Sequence, residues 1–188
     1  MKDEDQVALN SKVFEYLGTI SFLSLFIVYP FIRPIFNYLF PVTYSEGQAV
    51  VPYLYLSPLL LMLFQVAGNQ FLIIKKSYWA TISLSLDAVI NVILNNLLIK
   101  SLGVEGAAIA TLIGYIVSII MVCVITSHMK IMRISNRFLL CSAIVIMYLI
   151  ICRSFAGNNI LYQGVLSLIS IILYLLIYIK EIRKLSKK

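Results

Sequence analysis

"GVEGAAIAT", residues 103–111, lies between two long apolar runs. Gly103, Gly106, Ala107, Ala108 and Ala110 carry little or no side chain, and Glu105 is the only charge. Gly103 suits a turn with positive φ, which glycine enters without steric cost. Beyond it, Gly106, Ala110 and Gly114 recur every four residues, with Ala107 and Thr111 beside them. That is a small-xxx-small helix face, which lets two backbones approach closely in lipid. The stretch predicts a tight hairpin between two helices and close packing of the second.

The rest of the chain makes lipid the solvent. Of 188 residues, 61% are hydrophobic and 12% charged, whereas a soluble domain has about a quarter charged. The mean hydropathy is +0.97. A spanning helix needs about 20 mainly apolar residues. Six segments qualify, near 16–39, 50–73, 78–99, 105–126, 136–152 and 160–179. None alternates polar with apolar over a strand length, so these are helices and not barrel strands. The fold class expected is all-α: a polytopic membrane protein with six transmembrane helices. Residues 1–15 form a cytoplasmic stub, 16–180 the bundle and 181–188 a basic tail.

Basic residues orient this bundle. Lys2, Lys12, Lys75, Lys76, Lys130, Arg133, Arg137, Lys180, Arg183, Lys184, Lys187 and Lys188 fall on one side of a six-span arrangement. Only Lys100 and Arg153 fall on the other, and Arg33 lies within the first segment. The positive-inside rule then puts both termini in the cytoplasm. The net charge of +7 is a topology signal and calls for no nucleic acid. The acidic stub "MKDED" is unlike the basic start of a signal peptide.

Polar residues inside a span are costly, so their direction is informative. Ser83, Asp87, Asn91 and Asn95 recur every four residues on one face of the third segment. A carboxylate such as Asp87 at mid-membrane costs about 2.5–3.5 kcal/mol. The stripe faces protein or water. It is either interhelical hydrogen bonding or the wall of a water-accessible cavity. Gln65 and Asn69 sit one turn apart on the second segment, where Pro58 should bend the helix. Arg33, between Pro30 and Pro34, either snorkels to the headgroups or faces the bundle to meet an anionic phosphate.

Enzyme chemistry is not indicated. No phosphate loop, nucleophile beside a histidine, or pair of carboxylates is present. Cys123, Cys141 and Cys152 lie in apolar runs without metal or redox spacing, and His128 ends a segment beside Lys130. No cofactor or metal is expected.

The run "INVILNNLLIKSLGVEGAAIATLIGY", residues 90–115, resembles a signature of polysaccharide and lipid-linked oligosaccharide flippases. These belong to the multidrug/oligosaccharidyl-lipid/polysaccharide exporter superfamily. Asn91, Asn95, Gly103, Gly106, Ala107, Ala108, Ala110 and Thr111 carry the likeness. The family's frequent proline before the loop is absent, with Lys100 in that region. Upstream, Tyr44, Gly68, Lys75 and Lys76 also fit, and the resemblance covers most of residues 10–130.

The resemblance implies part of a flippase that moves a lipid-linked sugar intermediate across the cell membrane. Arg33 would meet its phosphate, Ser83, Asp87, Asn91 and Asn95 would line the glycan path, and Gln65 and Asn69 would lie opposite. Family members have two similar bundles, so this chain is expected to correspond to the C-terminal part, needing the missing half or a second copy. The rivals are a cation-coupled exporter of the same superfamily using Asp87 as its ion site, and a non-transporting scaffold of glycan synthesis with a dry centre.

Overall fold

The computed structural model describes residues 3–44, 47–156 and 159–185. The chain forms α1 (Asp3–Leu39), a short 3-10 turn (Val42–Tyr44), α2 (Gly47–Ile73), α3 (Tyr78–His128), α4 (Asn136–Ile151), a π-helical turn (Cys152–Ala156) and α5 (Ile160–Leu185). There is no strand among the described residues. Among the described residues, five helices are long and apolar enough to cross a membrane.

That count differs from the six segments of the sequence because 78–99 and 105–126 join in one element, α3, of 51 residues. The element is not straight. Gly103 has φ 58° and ψ −136°, outside helical geometry, and is the only positive-φ glycine among the described residues. The Asn91 amide donates to Thr111 Oγ1 at 3.1 Å across 20 residues of sequence, which a straight helix would hold about 30 Å apart. A Cβ on Gly106 would lie 2.6 Å from the Leu98 carbonyl carbon. The chain therefore folds back at Gly103. Its two arms, 78–102 and 104–128, run antiparallel, each about 37 Å long at 1.5 Å per residue.

Most of the expected stub at 1–15 is part of α1. From Asp3 the chain is helical and continuous with the first apolar segment. Tertiary contacts explain why. Phe14 is buried against Phe138, with ring centroids 5.0 Å apart. Asn10 donates to Gln70, Ser11 Oγ accepts the Arg133 backbone N–H at 2.8 Å, and the Tyr178 hydroxyl donates to Glu15 at 2.9 Å. At the other terminus α5 continues through Leu185, into the expected tail. Residues 186–188 and 1–2 lie outside the described residues.

α1 is the centre of the bundle. It packs on α2 along one side and on α4 and α5 along the other, while α3 packs on α2. The α1 face toward α4 and α5 is aromatic. Phe22 stacks on Phe138 at 5.7 Å, Phe26 meets Tyr148 edge-on at 5.0 Å, and Tyr29 meets Tyr148 at 5.2 Å. Phe26 also meets Tyr174 of α5 at 6.1 Å. These ring contacts interlock three helices where lipid gives little hydrophobic push. Gly18 provides the gap that takes the Phe138 ring. Outward faces are apolar, as on α5 with Leu161, Val165, Leu168, Ile172 and Leu176 all exposed. A water-soluble surface rarely carries so continuous a patch.

Pro30 and Pro34 lie inside α1, and Pro52 and Pro58 inside α2, without ending either helix. Neighbouring helices in an apolar bundle allow this. The contacts also sort the chain into two ends. Asn10, Gln70, Arg133, Glu15 and Tyr178 meet at one, together with the α2–α3 connection that carries Lys75 and Lys76. The Gly103 reversal, the start of α2 and the π-helical turn after α4 form the other.

Candidate functional site

The polar stripe and the small-residue face are two sides of one contact. Asp87 abuts Gly114, where a Cβ would lie 3.3 Å from the Asp87 carboxyl carbon with Oδ1 nearer still. Asn91 bonds Thr111, and Asn95 donates to Asn91 Oδ1 at 2.6 Å. Ser83 is buried and returns its hydroxyl to the Trp79 carbonyl at 2.9 Å. Thr111 in turn donates to the Ala107 carbonyl at 3.1 Å. Small residues at 106, 110 and 114 let the second arm come close enough for these short polar side chains to reach it. Asn95 Oδ1 is buried without a partner among the described residues.

Gln65 and Asn69 lie elsewhere. Both are exposed on α2, while its buried face carries Leu63, Phe64, Ala67, Gly68 and Phe71. The neighbouring Gln70 is the buried amide of that turn and pairs with Asn10. Gln70 is not among the residues that the sequence pattern singles out, although it follows Asn69 directly. A shift of one residue turns a helix side chain by about 100°.

Arg33 is half-buried and lines a cavity of about 340 Å³ at the Gly103 end. The same cavity is bordered by Tyr29 of α1, Gln48 and Tyr53 of α2, Glu105 of the second α3 arm, Arg153 of the π-helical turn and Gln163 of α5. None of Gln65, Asn69, Ser83, Asp87, Asn91 and Asn95 borders it. Arg153 donates from Nε to Glu105 Oε1 at 2.7 Å, and the Tyr53 hydroxyl donates to the same oxygen at 3.2 Å. Among the described residues, two guanidinium groups thus share a chamber with one carboxylate. The chamber suits an anion, since guanidinium offers planar forks of donors to phosphate or carboxylate.

Sequence reasoning does not find Glu105 and Arg153 as a pair. The available signal is that each is an isolated charge in an otherwise apolar stretch. In the sequence, Arg153 bears only on orientation, and Glu105 is only the one charge in "GVEGAAIAT".

A second cavity, of about 530 Å³, is apolar. It is a groove between the second α3 arm, from Ile116 to Ser127, and α4, from Phe138 to Ile146. Phe22 of α1 and Leu56, Leu60 and Leu63 of α2 form its floor. On α2, the groove begins one turn from Tyr53 of the polar cavity.

Comparison of the chain with models of protein families, with curated proteins and with solved structures found no match.

Proposed function

We propose that this chain is one bundle of a membrane flippase that carries a lipid-linked sugar intermediate across the cytoplasmic membrane. One observation carries the reading: Arg33 and Arg153 border a polar cavity, and an apolar groove lined by α2 and α4 begins one turn away. An anionic head with a long apolar tail is the ligand class that fits both chemistries. The likeness of residues 90–115 to the flippase signature points the same way.

In this reading the two arms of α3 are separate spans, giving six in all. Lys12, Lys75, Lys76, Lys130, Arg133 and Arg137 then face the cytoplasm with both termini. The α3 polar stripe acts as adhesive between its arms, and the glycan path runs beside Arg33. Alternating access requires a second bundle moving against the first. Gln65 and Asn69, exposed polar residues of α2, favour a protein or water neighbour over lipid. That neighbour is a preceding half or a second copy.

The test is transbilayer movement of a fluorescent polyprenyl-pyrophosphoryl sugar in proteoliposomes, read by quenching from outside. Movement should exceed that in empty vesicles, and Arg33→Gln should lower it about tenfold, the equivalent of about 1.4 kcal/mol of lost anion contact. Equal movement with Arg33→Gln removes the assigned role of Arg33. No movement by the chain, with or without a co-reconstituted partner bundle, refutes the flippase reading.

A further inference from the structure

The second arm of α3 and α4 face each other across the apolar groove and have little direct backbone contact. At one end, the connection at 129–135 joins them covalently, and Ile134 lines the groove there. At the other end an ion pair, Glu105 with Arg153, ties the start of the second arm to the turn that follows α4.

That bridge is single-pronged and partly exposed. Both the Arg153 and the Tyr53 bonds fall on one oxygen, Glu105 Oε1, so the guanidinium engages through Nε alone and not as a fork. The Arg153 side chain is 44% exposed against 21% for Glu105, so arginine is the more open to a competing anion. Two residues before Glu105 lies Gly103, where an added Cβ would meet nothing within 4 Å. The reversal is open on the side where a Gly103 side chain would project. Arg153 itself sits in a π-helical turn, a geometry that recurs at functional positions.

We propose that Glu105–Arg153 is a latch across the groove, and that a phosphate-type anion entering beside Arg33 opens it by taking Arg153. A phosphate bridging Arg33 and Arg153 accepts from two guanidinium groups at once, whereas Glu105 supplies one oxygen to one of them. Once freed, Glu105 keeps its bond to Tyr53. The second arm and α4 then part at this end while the 129–135 connection holds the other. This inference rests on the anion site of the proposed function, but not on transport.

The experiment is a distance measurement between spin labels at the exposed positions Val104 and Ser154, with Cys123, Cys141 and Cys152 replaced, in lipid nanodiscs. Glu105→Ala should lengthen the distance by about 2 Å or more, the scale of helix shifts at switching contacts. Arg153→Gln should do the same. Tyr53→Phe should not, because the ion pair remains. The exchange E105R with R153E should restore the short distance. In the parent protein, inorganic pyrophosphate added from water, or phosphatidylglycerol placed in the disc, should produce the long distance. The effective probe identifies whether the anion arrives from water or from lipid.

An unchanged distance in Glu105→Ala and Arg153→Gln overturns the latch. A distance that responds to these substitutions but to neither anion overturns the anion-release mechanism. If the anion opens the latch but no labelled lipid crosses the bilayer, with or without a co-reconstituted partner bundle, the latch stands and the flippase reading falls.

Discussion

Gly106 and Gly164 offer a matched test of the hairpin. Both are helical glycines, so replacing either by alanine gains a similar helix propensity, at most about 1 kcal/mol. Their surroundings differ. At Gly164 an added Cβ meets nothing within 4 Å. At Gly106 it would lie 2.6 Å from the Leu98 carbonyl carbon and 3.0 Å from the Ile99 nitrogen. Those are backbone atoms of the opposite arm and cannot rotate away. Ordinary contact begins at 3.4 Å, so the arms must separate locally by nearly an ångström. Overpacking of this kind costs about 1–3 kcal/mol. Because propensity cancels, Gly106→Ala should be less stable than Gly164→Ala by about that amount. This corresponds to roughly a 5- to 150-fold change in the unfolding equilibrium. Titration with a denaturing detergent in mixed micelles, followed by circular dichroism, reads the difference. Equal midpoints for the two variants would refute the close approach at Leu98, and with it the account of why the stretch is rich in glycine and alanine.

Two further outcomes are expected. Gly103→Ala should destabilise by about 1–3 kcal/mol through backbone strain alone, because φ 58° with ψ −136° suits only glycine and no neighbour is touched; the same titration checks it, and a neutral result would mean that the reversal does not need this geometry. Asp87→Asn should leave lipid movement in the proteoliposome assay within about twofold, well below one decade or 1.4 kcal/mol, because Asp87 packs against Gly114 and does not border the Arg33 cavity; transport driven by an ion gradient in the parent and abolished in the variant would favour the cation-coupled exporter.

The outward polar residues show how far a one-dimensional pattern reaches. Asn69 and Gln70 are adjacent, similarly polar and in the same apolar helix. Asn69 is exposed, whereas Gln70 is buried against Asn10. Hydropathy cannot separate them, because the difference is the rotation of α2 about its axis. Likewise the periodic stripe from Ser83 to Asn95 leaves two readings open. Its partner, the face at Gly106, Ala110 and Gly114, is also periodic, and nothing local says that one face meets the other. Arg33 stands out as a lone charge in a span, but most of the residues that complete its cavity come from four other elements.

Composition and local pattern suffice for whatever depends on each residue and its near neighbours. Apolar length makes the segments helical and long enough for a membrane. Glycine at 103 permits the reversal, and small residues every fourth position make a face fit for close packing. Packing in three dimensions settles how helices are turned and shifted against one another. It makes the N-terminal residues continuous with α1, because Asn10, Ser11 and Phe14 find partners on distant segments. It joins Glu105 to Arg153, 48 residues apart. Side-chain periodicity specifies a face; only packing, through the shapes and polar bonds of both partners, selects which face it meets.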